Sequence, residues 1–140
     1  PIKGYKSITI RLDNRGSGEF GAPRSGNRVH RGIDILAPIG TPVVAVRSGR
    51  AFSGEIKKGM GKYVKINHSK GIQTIYGHLS KVYVKPNQKV KQGEIIGEVG
   101  NSGNARFKEI EPHLHFEIRI RGKSIDPFDN FLSPALLYNG

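Results

Sequence analysis

The sequence predicts an all-β fold, a small antiparallel β-sheet or sandwich domain, and two observations carry that expectation. The chain of 140 residues is 36% hydrophobic, with 19 glycines and 8 prolines spread along it. That composition suits short strands and many turns better than a helical bundle. Apolar and polar residues also alternate over short runs such as "GKYVKIN" and "HLHFEIRI", the period of a half-buried strand. The length fits one domain with a hydrophobic core of its own.

From Pro1 to Gly18 the pattern is thin: "YKSITIRL" reads as one strand and "DNRGSGEFG" as a turn-rich loop. "TPVVAVRSGRAFSGEI" carries a β-branched run, then Gly49 and Gly54. It predicts two short strands joined by a tight turn, with Pro42 at a strand start, where its missing N–H matters least. In "GKYVKINHSKGIQTIYGHLSKVYV" two alternating runs flank "HSKG". This is a hairpin signal, with Gly71 supplying the positive φ of the turn and His78 at the far end of the second strand. "VKPNQKVKQGEIIGEVGNSG" breaks into short strands and tight turns, and Asn87 is the non-glycine type that best tolerates the left-handed conformation. "GKSIDPFDNFLSPALLYNG" ends the chain as a last short strand or turn and an irregular tail, because Pro127 and Pro134 oppose any long element.

The 23 Lys and Arg against 11 Asp and Glu give a formal charge of +12, which points to a polyanionic partner: nucleic acid, anionic membrane or anionic cell wall. The basic residues are dispersed and lack an RNA-binding aromatic signature, so a solvated basic surface accounts for them as well. No apolar run approaches the roughly 18 to 20 residues of a membrane span, and no signal peptide is visible. The chain begins at Pro1 rather than methionine, consistent with a processed form or fragment whose targeting segment lay upstream. With no cysteine, thiolate zinc sites and cysteine nucleophiles are excluded, and any metal must be held by His, Asp or Glu.

Four of the five histidines fall in three compact motifs: "HRGID" with His30 and Asp34, "YGHL" with His78, and "EPHLHFEIRI" with His113 and His115. On a strand, His113, His115, Glu117 and Arg119 share one face, while Leu114, Phe116, Ile118 and Ile120 form the core face. Alone, each motif reads as an ordinary solvated face, a surface loop or a structural strand-end histidine. Together, in a chain without cysteine, they suit zinc. Imidazole and carboxylate are fitting ligands, Gly32 lets the backbone bend between His30 and Asp34, and three protein ligands leave a fourth position open. The helical His-Glu-x-x-His motif is absent, so a non-ligand histidine would handle the proton. His68, in "NHSKG", is assigned no role.

The ordered set "HRGID", "YGHL", "HLHFE" resembles the M23 zinc peptidases, the lysostaphin and LytM-like peptidoglycan endopeptidases, from about Phe20 to Phe128. The resemblance implies a LytM-like (duplicated hybrid motif) β domain with an active-site groove. It implies one Zn2+ bound by His30, Asp34 and His115, and His78 and His113 as catalytic, non-ligand histidines. In that scheme the metal polarises the scissile carbonyl and activates water, while His113, the expected base, and His78 move protons and stabilise the oxyanion. It divides the chain into a lead strand and loop at 1–18, a catalytic domain at 19–128 and a tail at 129–140. It also implies hydrolysis of peptidoglycan stem and cross-bridge peptides, with no nucleic-acid partner, by a monomer that is part of a longer precursor in the bacterial cell envelope, periplasmic or secreted. Two departures stand out: the stretch "NSGNARFKEIEPHLHF" is longer than the family's usual approach to the histidine pair, and Asn87 replaces a common glycine. Two rivals are a non-catalytic wall-binding or hydrolase-activating LytM-like domain, and a phosphocarrier or biotinyl/lipoyl-like domain. The second has no carrier-hairpin lysine here and no use for Asp34.

Overall fold

The computed structural model describes residues 1–3, 11–13, 16–24, 28–106 and 110–127. The expected tail at 129–140 and most of "YKSITIRL" lie outside the described residues. The strands run in chain order: β1 Leu12–Asp13, β2 Gly16–Ser17, β3 Pro23–Arg24, β4 Arg28–Val29, β5 Ile33–Leu36, β6 Pro42–Val44, β7 Gly49–Ile56, β8 Gly61–Asn67, β9 Ile72–Val82, β10 Gln88–Val90, β11 Ile95–Val99, β12 His113–Ile120 and β13 Lys123–Ile125. Nine of them, β5 to β13, form one sheet, and β1–β2 and β3–β4 form two small ribbons. Every pairing is antiparallel. The expected all-β class is what the molecule has.

Local chemistry accounts for most of the turns. The β8–β9 hairpin closes through Lys70 and Gly71 at φ 60° and 71°, as "HSKG" suggested. Asn87 takes φ 62° before β10. The β12–β13 turn uses Arg121 and Gly122 at φ 51° and 81°. Two expectations differ from the structure. "TPVVAVRSGRAFSGEI" does supply two strands, but β6 pairs with β11 and β7 with β8 and β10, so their connection is no hairpin. "DNRGSGEFG" contains β2 and the second residue of β1 rather than loop alone, because two strands of two residues leave too short a pattern to see.

The long strand β9 is the hub of the sheet. Its first half lies between β8 and β12, and its second half pairs with β11. The core cluster packs Ile33, Ile35, Val64, Ile66, Tyr76, Leu79, Ile96, Leu114, Phe116 and Ile118. Full burial of each large side chain contributes about 1.5–3 kcal/mol. Tyr76 and Phe116 face each other across β9 and β12 with ring centroids 5.4 Å apart. The buried Tyr76 hydroxyl accepts from Val46 N–H and bonds Thr74 Oγ1, which bonds His68 Nε2 in turn. His68 is thereby a structural residue, tied also to Ser48 O through Nδ1.

Candidate metal centre and active site

Register builds the site. On β12, His115 stands opposite Asp34 of β5 on one side and Gly77 of β9 on the other. His30 arrives from the end of β4, just before β5. At the next position of β9 the strand bulges: Lys62 and Val64 of β8 face Leu79 and Tyr76, so three steps on β9 match two on β8. His78 occupies that bulge at φ 61°, its N–H donated to Met60 O at 2.6 Å. An extra residue in one strand re-aims its side chain, and here it turns His78 toward the histidine pair.

The face of β12 that carries the histidines is buried rather than solvated. His30, Asp34, His78, His113, His115 and Glu117 are all buried, His113 with 2% of its surface exposed, so the ordinary-solvated-face reading does not hold. Gly32 also works differently from expectation. Its φ is not in the left-handed region; instead a Cβ there would lie 2.3 Å from Phe116 O, so glycine lets β5 approach β12 closely.

Three atoms converge. His30 Nε2 lies 3.0 Å from Asp34 Oδ1, His115 Nδ1 lies 2.9 Å from the same oxygen, and the two nitrogens are 3.0 Å apart. The outer atoms of the rings are already spent: His30 Nδ1–H donates to Glu19 O at 3.0 Å, and His115 Nε2–H donates to Glu117 Oε2 at 3.1 Å. Those bonds fix the tautomers so that both converging nitrogens carry lone pairs. Two lone pairs and a carboxylate oxygen turned on one point repel unless a cation lies between them. Tetrahedral zinc with bonds of about 2.0–2.1 Å separates its ligands by about 3.3 Å, close to the observed triangle. Among the described residues, His30, Asp34 and His115 form the group able to hold a metal ion.

Electrostatics agree. Burial works to raise the Asp34 carboxyl, but hydrogen bonds from His115 and His30 and the neighbouring positive charge outweigh it and hold the group well below the usual carboxylate range. Burial works to lower His115, but Asp34 and Glu117 push it up to about 9, so without metal a proton fills the space. The other two histidines behave oppositely. Burial, reinforced by neighbouring histidine charge, lowers His78 to about 3, and burial lowers His113. Their Nδ1–H groups donate to Ser102 O at 2.8 Å and Glu111 O at 2.7 Å, which leaves Nε2 as the proton-accepting atom of each. The two rings meet edge-on with centroids 4.9 Å apart.

Residues 28–127 match Peptidase family M23. The chain belongs to that family. It is 44% identical over 101 residues to the DD-carboxypeptidase/endopeptidase Mpg of Neisseria meningitidis, and 38% identical over 100 residues to the peptidoglycan DD-endopeptidase ShyC of Vibrio cholerae. Each match covers 71% of this chain and 22% of the relative, so the chain spans about a fifth of their length. The fold matches the catalytic domain of lysostaphin from Staphylococcus simulans with a TM-score of 0.69 and 32% identity, over 87% of this chain and 92% of that one. All three histidine motifs lie inside the matched M23 region.

Structure thus brings all five candidate site residues of the M23 domain into one cluster. Two neighbours received no role from the sequence. Glu117, which period-two alternation did place on the strand face of His115, anchors that ring and is itself held by Arg119 Nη2 at 3.2 Å. Arg11 donates from Nε to Asp34 Oδ2 at 3.0 Å, and a contact across 23 residues leaves no local signal.

Proposed function

We propose that the chain is a zinc-dependent endopeptidase that hydrolyses the peptide crosslinks of bacterial peptidoglycan, with His30, Asp34 and His115 as zinc ligands and His78 and His113 as catalytic residues. The convergence of His30 Nε2, His115 Nδ1 and Asp34 Oδ1 within about hydrogen-bond distance of one another carries this reading. Two nitrogens and one oxygen form a donor set that suits zinc, and three protein ligands are the number of a catalytic site. Bound there, the ion supplies Lewis acidity that polarises the scissile carbonyl and lowers the pKa of water.

The chain's own residues handle the proton. His113, neutral through burial, accepts it at Nε2, and the imidazolium so formed lies 3.6 Å from Asp34 Oδ2, which stabilises it. His78, which burial and neighbouring histidine charge lower to about 3, serves as the second group beside His113, its unprotonated Nε2 accepting a hydrogen bond from the attacking water and orienting it.

The substrate class rests on family membership and on the charge of +12, which favours an acidic polymer. The same reading proposes a location in the bacterial cell envelope, as a monomer that is part of a longer precursor. Among the described residues no helix is long and apolar enough to cross a membrane.

Metal analysis of the purified protein, with mass spectrometry of fragments released from purified sacculi, tests the proposal. The expected result is about one zinc per chain, and hydrolysis that a chelator abolishes and zinc restores. Protein free of metal after gentle purification overturns it. Zinc-loaded protein that binds sacculi without releasing fragments identifies a wall-binding or activating domain instead.

A further inference from the structure

Arg11 lies outside the matched M23 region, which begins at residue 28, yet it meets the candidate ligand Asp34 at both its main chain and its side chain. Arg11 N–H donates to Asp34 O at 3.0 Å, Asp34 N–H donates to Gly18 O at 2.8 Å, and Gly18 N–H donates back to Arg11 O at 2.7 Å. The β1–β2 ribbon that these residues flank is therefore docked against Asp34 of β5. Gly18 permits the docking, since a Cβ on it would lie 2.6 Å from Asp34 Cβ. From this base the Arg11 guanidinium reaches Asp34 Oδ2 at 3.0 Å, the two side chains being 5% and 4% exposed. Arg24 Nη2 and His113 Nε2 stand farther from that oxygen, at 3.8 and 3.6 Å.

We propose that Arg11 is a positioning residue of the metal site, delivered by the Arg11–Gly18 segment, and that it sets metal affinity by holding the second oxygen of Asp34. A carboxylate offers two oxygens. With Oδ1 turned toward His30 and His115, a free Oδ2 could rotate into the same space or take a proton, and either change alters the donor set. A guanidinium on Oδ2 blocks both and fixes the carboxylate plane, a role that outer partners of metal ligands fill generally. The proposal rests on the reading that His30, Asp34 and His115 bind zinc. A purely structural ion pair would stabilise the fold and leave metal affinity unchanged.

Chelator-competition titration of zinc on the wild type and on Arg11→Ala, Arg11→Gln and Gly18→Ala separates the two roles, together with visible spectra of the cobalt-loaded proteins and denaturant unfolding without metal. Arg11→Ala is expected to bind zinc about 10- to 100-fold more weakly with an altered cobalt spectrum. Gly18→Ala, whose added Cβ would press on both Asp34 Cβ and Arg11 Cβ, is expected to move both readouts the same way. A folded Arg11→Ala with wild-type zinc affinity and an unchanged cobalt spectrum overturns the proposal. If Arg11→Ala does not fold, a folded Arg11→Gln with wild-type affinity overturns it equally. Wild-type protein that binds no zinc overturns the underlying reading first, before any variant is compared.

Discussion

His113 and His115 are two residues apart on one face of β12, yet the partners of their rings divide them. His115 is clamped between two carboxylates, Asp34 at 2.9 Å and Glu117 at 3.1 Å, whereas His113 is bonded to a backbone carbonyl and stays neutral. His115→Ala is expected to lose metal and turnover together, while His113→Ala keeps its metal and loses turnover; metal content and hydrolysis of sacculi, measured side by side, check the pair. Full activity in His113→Ala would remove it from the catalytic step. A pH dependence follows with a definite sign. Because His115 without metal is held near 9, zinc binding near neutrality must expel its proton, so affinity rises with pH. The expected slope is about tenfold per pH unit between about 7 and 9, flattening above, one proton released per zinc. A pH-independent affinity over that window would show that no such proton is displaced. At this scale the residue types and motif order were legible. Arg11 was not, because its contact is made by chain folding rather than by spacing.

At the scale of the element, turns set by a residue's own chemistry were legible and irregularities imposed by pairing were not. Gly71 and Asn87 advertise positive φ. His78 does not, and it adopts φ 61° only because β9 must change partners from β12 to β11 at that point. The bulge is held from outside by Ser102, whose carbonyl accepts from His78 and whose hydroxyl accepts from Lys62 N–H and donates to Leu79 O. Gly103 beside it has φ 65°, and a Cβ there would lie 2.2 Å from Gly61 N. Gly103→Ala therefore meets both a backbone strain of about 1–2 kcal/mol and a contact that only movement of the Ser102 segment relieves. The expected outcome is destabilisation of about 2 kcal/mol or more by denaturant unfolding, with zinc retained and turnover reduced as His78 loses its anchor. Loss of zinc in a folded Gly103→Ala would place this segment's influence on the ligands instead.

For the whole molecule, composition and alternation made the all-β class legible, but not which strands pair. The sheet order β10-β7-β8-β9-β11-β6 with β12 branching from β9 depends on contacts between distant segments, and it is this branching that puts β5 and β9 on either side of His115. Net charge was legible from the start, and its consequence belongs to the molecule as a whole, because the 23 basic residues are dispersed. The Debye length falls from about 10 Å at 0.1 M salt to about 3 Å at 1 M, so long-range attraction of a +12 domain to an acidic wall is screened, while the buried candidate ligands His30, Asp34 and His115 are not. Co-sedimentation with purified sacculi is expected to weaken by about tenfold or more between roughly 0.05 and 0.5 M salt. Over the same range metal content and cleavage of a short neutral peptide should change little. Salt-insensitive association would instead assign wall recognition to short-range contacts around the catalytic centre, and a parallel loss of peptide cleavage would locate the salt effect in the site itself.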